Sequence, residues 1–134
     1  MRRLALIGVV AVLAGCAREA APQLFFPRHD APRGEAAADE VLEAELAYSN
    51  GCFFLDVADG TRYLAVWPAN IEPRMWGTAT VVGPGRDLLL ESGAIGFVAG
   101  HAVERADAEE QIGAAVPERC AADIFWVGDV VDRP

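Results

Sequence analysis

Cys52-Phe53-Phe54-Leu55-Asp56-Val57-Ala58-Asp59-Gly60-Thr61-Arg62-Tyr63-Leu64-Ala65-Val66-Trp67-Pro68 is the stretch that decides the fold. Two runs rich in aromatic and branched residues flank an Asp-Gly turn signal, and Pro68 stops the second run, which together read as a β-hairpin. Both faces of the hairpin are apolar along much of its length, so it is expected to be a central strand pair and not an exposed edge.

Working outward, Leu42, Ala44, Leu46 and Tyr48 alternate with Glu43, Glu45 and Ala47, the period of a half-buried strand. Ala and Glu before them favour helix, so a helical start from Glu35 passing into a strand near Val41 is expected. Ser49-Asn50-Gly51 breaks this run. After the hairpin, Pro68 to Met75 carries two prolines and reads as a connection. A second hairpin follows, Thr78–Val82 and Asp87–Glu91 around Gly83-Pro84-Gly85-Arg86, and then a short strand at Ile95–Ala99. Val103 to about Val116 reads as the single helix, ended by Pro117, and Ile124–Val131 as a last strand. Five or six short strands with one late α-helix predict a mainly β fold: a small, partly closed antiparallel barrel.

The amino-terminal segment is of another kind. Met1-Arg2-Arg3, an apolar middle and a small-residue ending have the three parts of a secretory signal. Leu4 to Ala17 would span roughly 21 Å as a helix, short of the ~30 Å hydrocarbon core, which argues against a membrane span. The ending Leu13-Ala14-Gly15-Cys16 resembles the lipobox of bacterial lipoproteins. That resemblance implies that residues 1–15 are removed and that Cys16 becomes an acylated first residue. It also implies a membrane held through the N-terminal lipid. Ala17 is not the aspartate that retains many such proteins at the inner membrane, so the outer membrane is favoured where the source has two.

Residues 16–34 contain three prolines, mixed charge and no periodicity, and read as a lipidated cysteine on a flexible tether reaching up to roughly 55 Å at ~3.1 Å per residue. Within it, Leu24-Phe25-Phe26 either packs on the domain or dips into the membrane interface. Residues 35–134 are expected to form one β-rich globular domain, since the 119 residues after the leader have room for a single core.

Charge narrows the partners. Eleven arginines and no lysine stand against 20 Asp and Glu, a net −9 that becomes −11 once Arg2 and Arg3 leave with the leader. Such a surface repels phosphate backbones and anionic headgroups, so nucleic acid is a poor partner, and an envelope protein or a cell-wall component is the partner class expected.

Three cysteines are present. With Cys16 assigned to lipid, Cys52 and Cys120 are left as an even pair in an exported, oxidising setting. A disulfide between them is expected, worth about 4 kcal/mol for a loop of about 68 residues; the alternative is two buried free thiols.

Chemistry-bearing constellations are sparse. His101 is the one histidine inside the domain, Ser49 and Ser92 sit in turn-like sequence, and no Gly-x-Ser-x-Gly elbow occurs. The thiols are isolated, and Asp123, Asp129 and Asp132 are spaced unlike a calcium loop, so no metal or other cofactor is expected. Glu109 and Glu110 are adjacent helix positions that point about 100° apart, a solvated face more than an acid–base pair. Among the aromatics, Trp67 and Trp126 lie inside strands and are expected in the core, whereas Trp76, in a Met-Trp-Gly connection, is the candidate ligand-binding residue.

Gly51-Cys52-Phe53, Tyr63–Pro68, Pro117-Glu118-Arg119-Cys120 and Trp126–Val130 resemble a recurrent pattern of small bacterial envelope domains, over roughly Glu43 to Val131. The element order is also similar to an OB-like barrel, although in that family the helix commonly lies between the third and fourth strands and here it precedes the last. The resemblance brings no activity with it; the chain as a whole reads as a lipid-anchored, acidic, non-enzymatic binding or structural module of the envelope. A glycan or small-ligand binder using an aromatic barrel face, and an envelope hydrolase, are the other readings.

Overall fold

The structure, a computed structural model, describes residues 23–34 and 39–132. The leader, Cys16 and the helical start expected from Glu35 to Ala38 lie outside the described residues. Among the described residues, eight strands form in the order β1 (Glu40–Ser49), β2 (Cys52–Asp56), β3 (Arg62–Val66), β4 (Glu72–Met75), β5 (Ala79–Val82), β6 (Leu88–Glu91), β7 (Ile95–Glu104) and β8 (Ile124–Val131). The helix α1 (Arg105–Ile112) and a single 3-10 turn at Glu118–Cys120 separate β7 from β8.

The fold is mainly β, with the helix late in the chain as expected. Five strands make a ring in the order β1-β2-β3-β8-β7 and back to β1; only the β3–β8 pair is parallel. In place of a helix, the connection between the third and fourth ring strands carries a separate antiparallel sheet, β4-β5-β6.

The central hairpin carries two cores because it is apolar on both faces. Phe53 and Leu55 on β2, with Ala65 and Trp67 at β3, point into the ring, where Ala44, Leu46, Val98, Trp126 and Val130 meet them. Ala79, Val81 and Leu90 of the small sheet, with Ile71 just before β4, join this cluster. Cys52, Phe54, Leu64 and Val66 face the other way, onto Ala108 of α1, Val116, Cys120, Phe125 and Val127. The period-two alternation fixes which residue enters which core, and a slip of one residue would exchange them.

A disulfide joins Cys52 at the start of β2 to Cys120 just before β8, with Cα atoms 5.5 Å apart and a sequence separation of 68. Both cysteines are fully buried in the outer core. The bridge pins the 3-10 turn to the central hairpin.

Four details differ from the sequence-based expectation. Residues 68–75 hold a strand, β4, in what reads as a plain connection; Pro73 is tolerated because β4 is an edge strand of a three-stranded sheet. Strand β7 runs to Glu104, well past Ala99, since its second half pairs with β8. Helix α1 is shorter than expected and ends at Ile112, because Gly113 adopts a left-handed conformation (φ 69°) that returns its N–H to the Glu109 carbonyl.

The fourth difference is the largest. Residues 23–34, read as part of a free tether, lie against the ring as a strap. Phe25 donates its N–H to Gly51 O, His29 donates its N–H to Trp67 O, and Trp67 donates its N–H to Pro27 O, each at 2.9 Å. Parallel bridges form at Phe25–Cys52 and Arg28–Trp67. Prolines suit such a segment, which needs extended backbone but only a few ladder bonds.

Candidate functional site

The strap brings the two histidines of the chain to one place. His29, only 6 % exposed, faces the β7–β8 pair, with Asp129, His101 and the Gly128 backbone acting on its imidazole. Burial pushes its pKa below the ordinary 6.5, and His101 adds to that, while Asp129, Asp30 and the Gly128 backbone pull upward. Among the described residues, His29 Nε2 and His101 Nδ1 have no hydrogen-bond partner. Asp129 is held from the strap: Arg33 Nε donates to Oδ1 at 3.1 Å and the Gly34 N–H to Oδ2 at 2.9 Å. Arg33 also donates to the Val130 carbonyl at 2.9 Å.

This junction depends on glycine. Gly100 and Gly128 are directly opposed across β7 and β8. A Cβ on Gly100 would collide with the Val127 carbonyl, and one on Gly128 would sit 2.6 Å from Ala99 O and 2.7 Å from the Trp126 indole nitrogen. The two strands therefore approach more closely here than any side chain allows.

The second feature is a groove of about 530 Å³ at the opposite end of the central hairpin, between the first half of β1 and the hairpin tip. Leu42, Ala44, Val57 and Ala58 supply apolar lining, and Glu43, Glu45 and Asp56 supply carboxylates. Val41 and Ile95, 42 % and 66 % exposed, flank it. Asp56 is neutralised by Arg62, whose Nε and Nη2 donate to its two oxygens at 2.6 and 2.8 Å. Among the described residues neither Glu43 nor Glu45 has an ion-pair partner.

The residues singled out from sequence are scattered. Cys16 lies outside the described residues, and Cys52 and Cys120 are bonded to each other. Trp76 sits at the tip between β4 and β5, 49 % exposed, beside the equally exposed Met75. Trp67 and Trp126 are buried in the ring core, so they offer no stacking face. Ser49 ends β1 and Ser92 follows β6, whereas His101 lies within β7. Glu109 accepts the Val116 N–H at 3.2 Å, a structural contact that closes the chain after α1. Among the described residues no three His, Cys, Asp or Glu side chains are grouped as a metal would require, and no helix is long and apolar enough to cross a membrane.

Sequence reasoning missed both features. His29 and His101 are far apart in the chain, and His101 comes close enough to act on His29 only because the strap docks. The groove exists because β2 is half the length of β1, which no local motif reports. Set against family models, curated proteins and solved structures, the chain matches none.

Proposed function

We propose that this protein is a lipid-anchored, non-enzymatic binding module of the bacterial envelope, held close to its membrane. The anchor reading rests on Leu13-Ala14-Gly15-Cys16 after a basic and apolar leader. The observation that carries the rest is the docked strap. With Gln23 onward attached to the domain, only residues 17–22 intervene between the acylated cysteine and the folded body. Fully extended, that link reaches roughly 20–25 Å, under half the span that a free tether to Gly34 would allow. The domain thus works at the bilayer surface and not at a distance from it.

Charge supports the same division of labour. At −11 after loss of the leader, the mature chain is repelled by anionic headgroups, so the lipid and not a basic patch provides membrane affinity. An acidic surface held at the membrane suits a neutral or cationic partner in the envelope. With Ala17 after the cysteine, the outer membrane is the location favoured in a two-membrane source.

Labelling cells with a radioactive fatty acid tests the anchor. Incorporation in the wild-type chain and its loss in Cys16→Ser is the expected result; equal incorporation in both refutes it.

A further inference from the structure

Strand β1 is ten residues long and its partner β2 only five. Their pairing begins at Glu45–Asp56 and runs to Ser49–Cys52. Beyond Asp56 the chain turns away, because the Val57 and Gly60 N–H groups are taken by the hairpin turn. On its other side β1 is covered by β7 all the way to Glu40. Among the described residues, Glu40 to Ala44 is therefore a strand paired on one edge only, with its other edge facing the apolar groove. Backbone donors and acceptors along such an edge are a template for one more strand.

The side chains select what that strand can be. Leu42, half-buried, and Ala44, buried, lie on the core-facing side of β1 beside the groove, while Val41, Glu43 and Glu45 lie on the outer face with Ile95. Pairing with a second copy of this edge would bring the Glu43 and Glu45 carboxylates of both copies together on one face, and like charges close across strands are destabilising. The net charge of −9 opposes such pairing at longer range too. A basic segment meets the opposite situation. Alternating residues place its apolar side chains on the side of Leu42 and its basic ones beside Glu43 and Glu45, which have no ion-pair partner among the described residues.

We propose that the open edge of β1 and the groove beside it bind an extended segment of another protein, of alternating apolar and basic residues, by strand addition. This deepens the binding-module reading and is independent of the lipid: a failed fatty-acid labelling would leave the groove intact, and a failed peptide experiment would leave the anchor intact.

The test uses the full-length chain in neutral detergent and a fluorescein-labelled heptapeptide of alternating lysine and valine, read by fluorescence anisotropy. Saturable binding at least tenfold tighter than for the glutamate-for-lysine peptide is expected. Methylating the peptide amides along one strand edge should abolish it, and methylating those along the other should not. The Glu43→Lys, Glu45→Lys double variant, with its circular dichroism unchanged, should bind the lysine peptide at least tenfold more weakly; Ile95→Lys, at an exposed position on the same outer face, gives a second variant expected to weaken binding. No saturable binding, equal binding of both peptides, insensitivity to amide methylation on either edge, or self-association through β1 would each overturn the proposal.

Discussion

Phe26 lies parallel to Trp67, with ring centroids 5.7 Å apart and an interplanar angle of 7°. Its edge meets Phe53 at 5.3 Å, and the Arg28 guanidinium stands 5.1 Å from its centroid. A residue ahead of every ring strand thus packs on the central core, so the strap belongs to the fold.

Phe26→Ala is therefore expected to cost about 3 kcal/mol, the scale of removing a packed aromatic ring. A denaturant midpoint measurement checks it. A loss under about 0.5 kcal/mol, typical of an exposed position, would mean that the segment does not dock in solution.

The disulfide closes a loop of 68 residues between β2 and the turn before β8. Its removal in a Cys52→Ala, Cys120→Ala variant should lower stability by about 4 kcal/mol, a large share of the roughly 5–15 kcal/mol of a small domain. Denaturant unfolding with and without reductant reads this directly, and the double variant should no longer respond to reductant.

His29 sets a pH dependence of known sign. Its folded pKa is lowered, chiefly by burial, so the unfolded chain binds the proton more readily. The stability from neutral His29 is present above the unfolded pKa of 6.5 and is lost as pH falls below it, down to the folded value. His29→Gln should flatten the fall in unfolding midpoint between about pH 7 and pH 5. An unchanged slope in that variant would place the proton elsewhere.

Trp76 is the exposed tryptophan of three, with Trp67 and Trp126 in the ring core. Acrylamide should quench one emitting component readily and leave the remainder shielded. Trp76→Ala should remove the accessible component with a stability change within about 0.5 kcal/mol. A quenchable fraction that persists would show that the ring core opens.

The central hairpin was legible because two independent signals agree there: apolar residues on both faces of Cys52–Val57 and Arg62–Trp67, and Asp59-Gly60 between them. Asp59 accepts the Thr61 N–H at 2.9 Å, the local bond that such a turn offers. The Cys52–Cys120 pair was legible by counting, once Cys16 was set aside. Strand β4 was hidden by Pro73, which forbids a central strand but not an edge one. The strap was hidden because Pro27 and Pro32 read as linker, although Arg33 holds Asp129 from 96 residues away. The groove left no local trace, since it follows from the unequal lengths of β1 and β2 and from where Val57 turns.

Lipidation at Cys16 is the claim on which the position of the whole domain depends, and the intact mass of the protein taken from membranes measures it most directly. The expected mass is that of the chain from Cys16 to Pro134 plus a diacylglyceryl group and a third acyl chain. A mass that begins at Met1, or an unmodified Cys16, would contradict it.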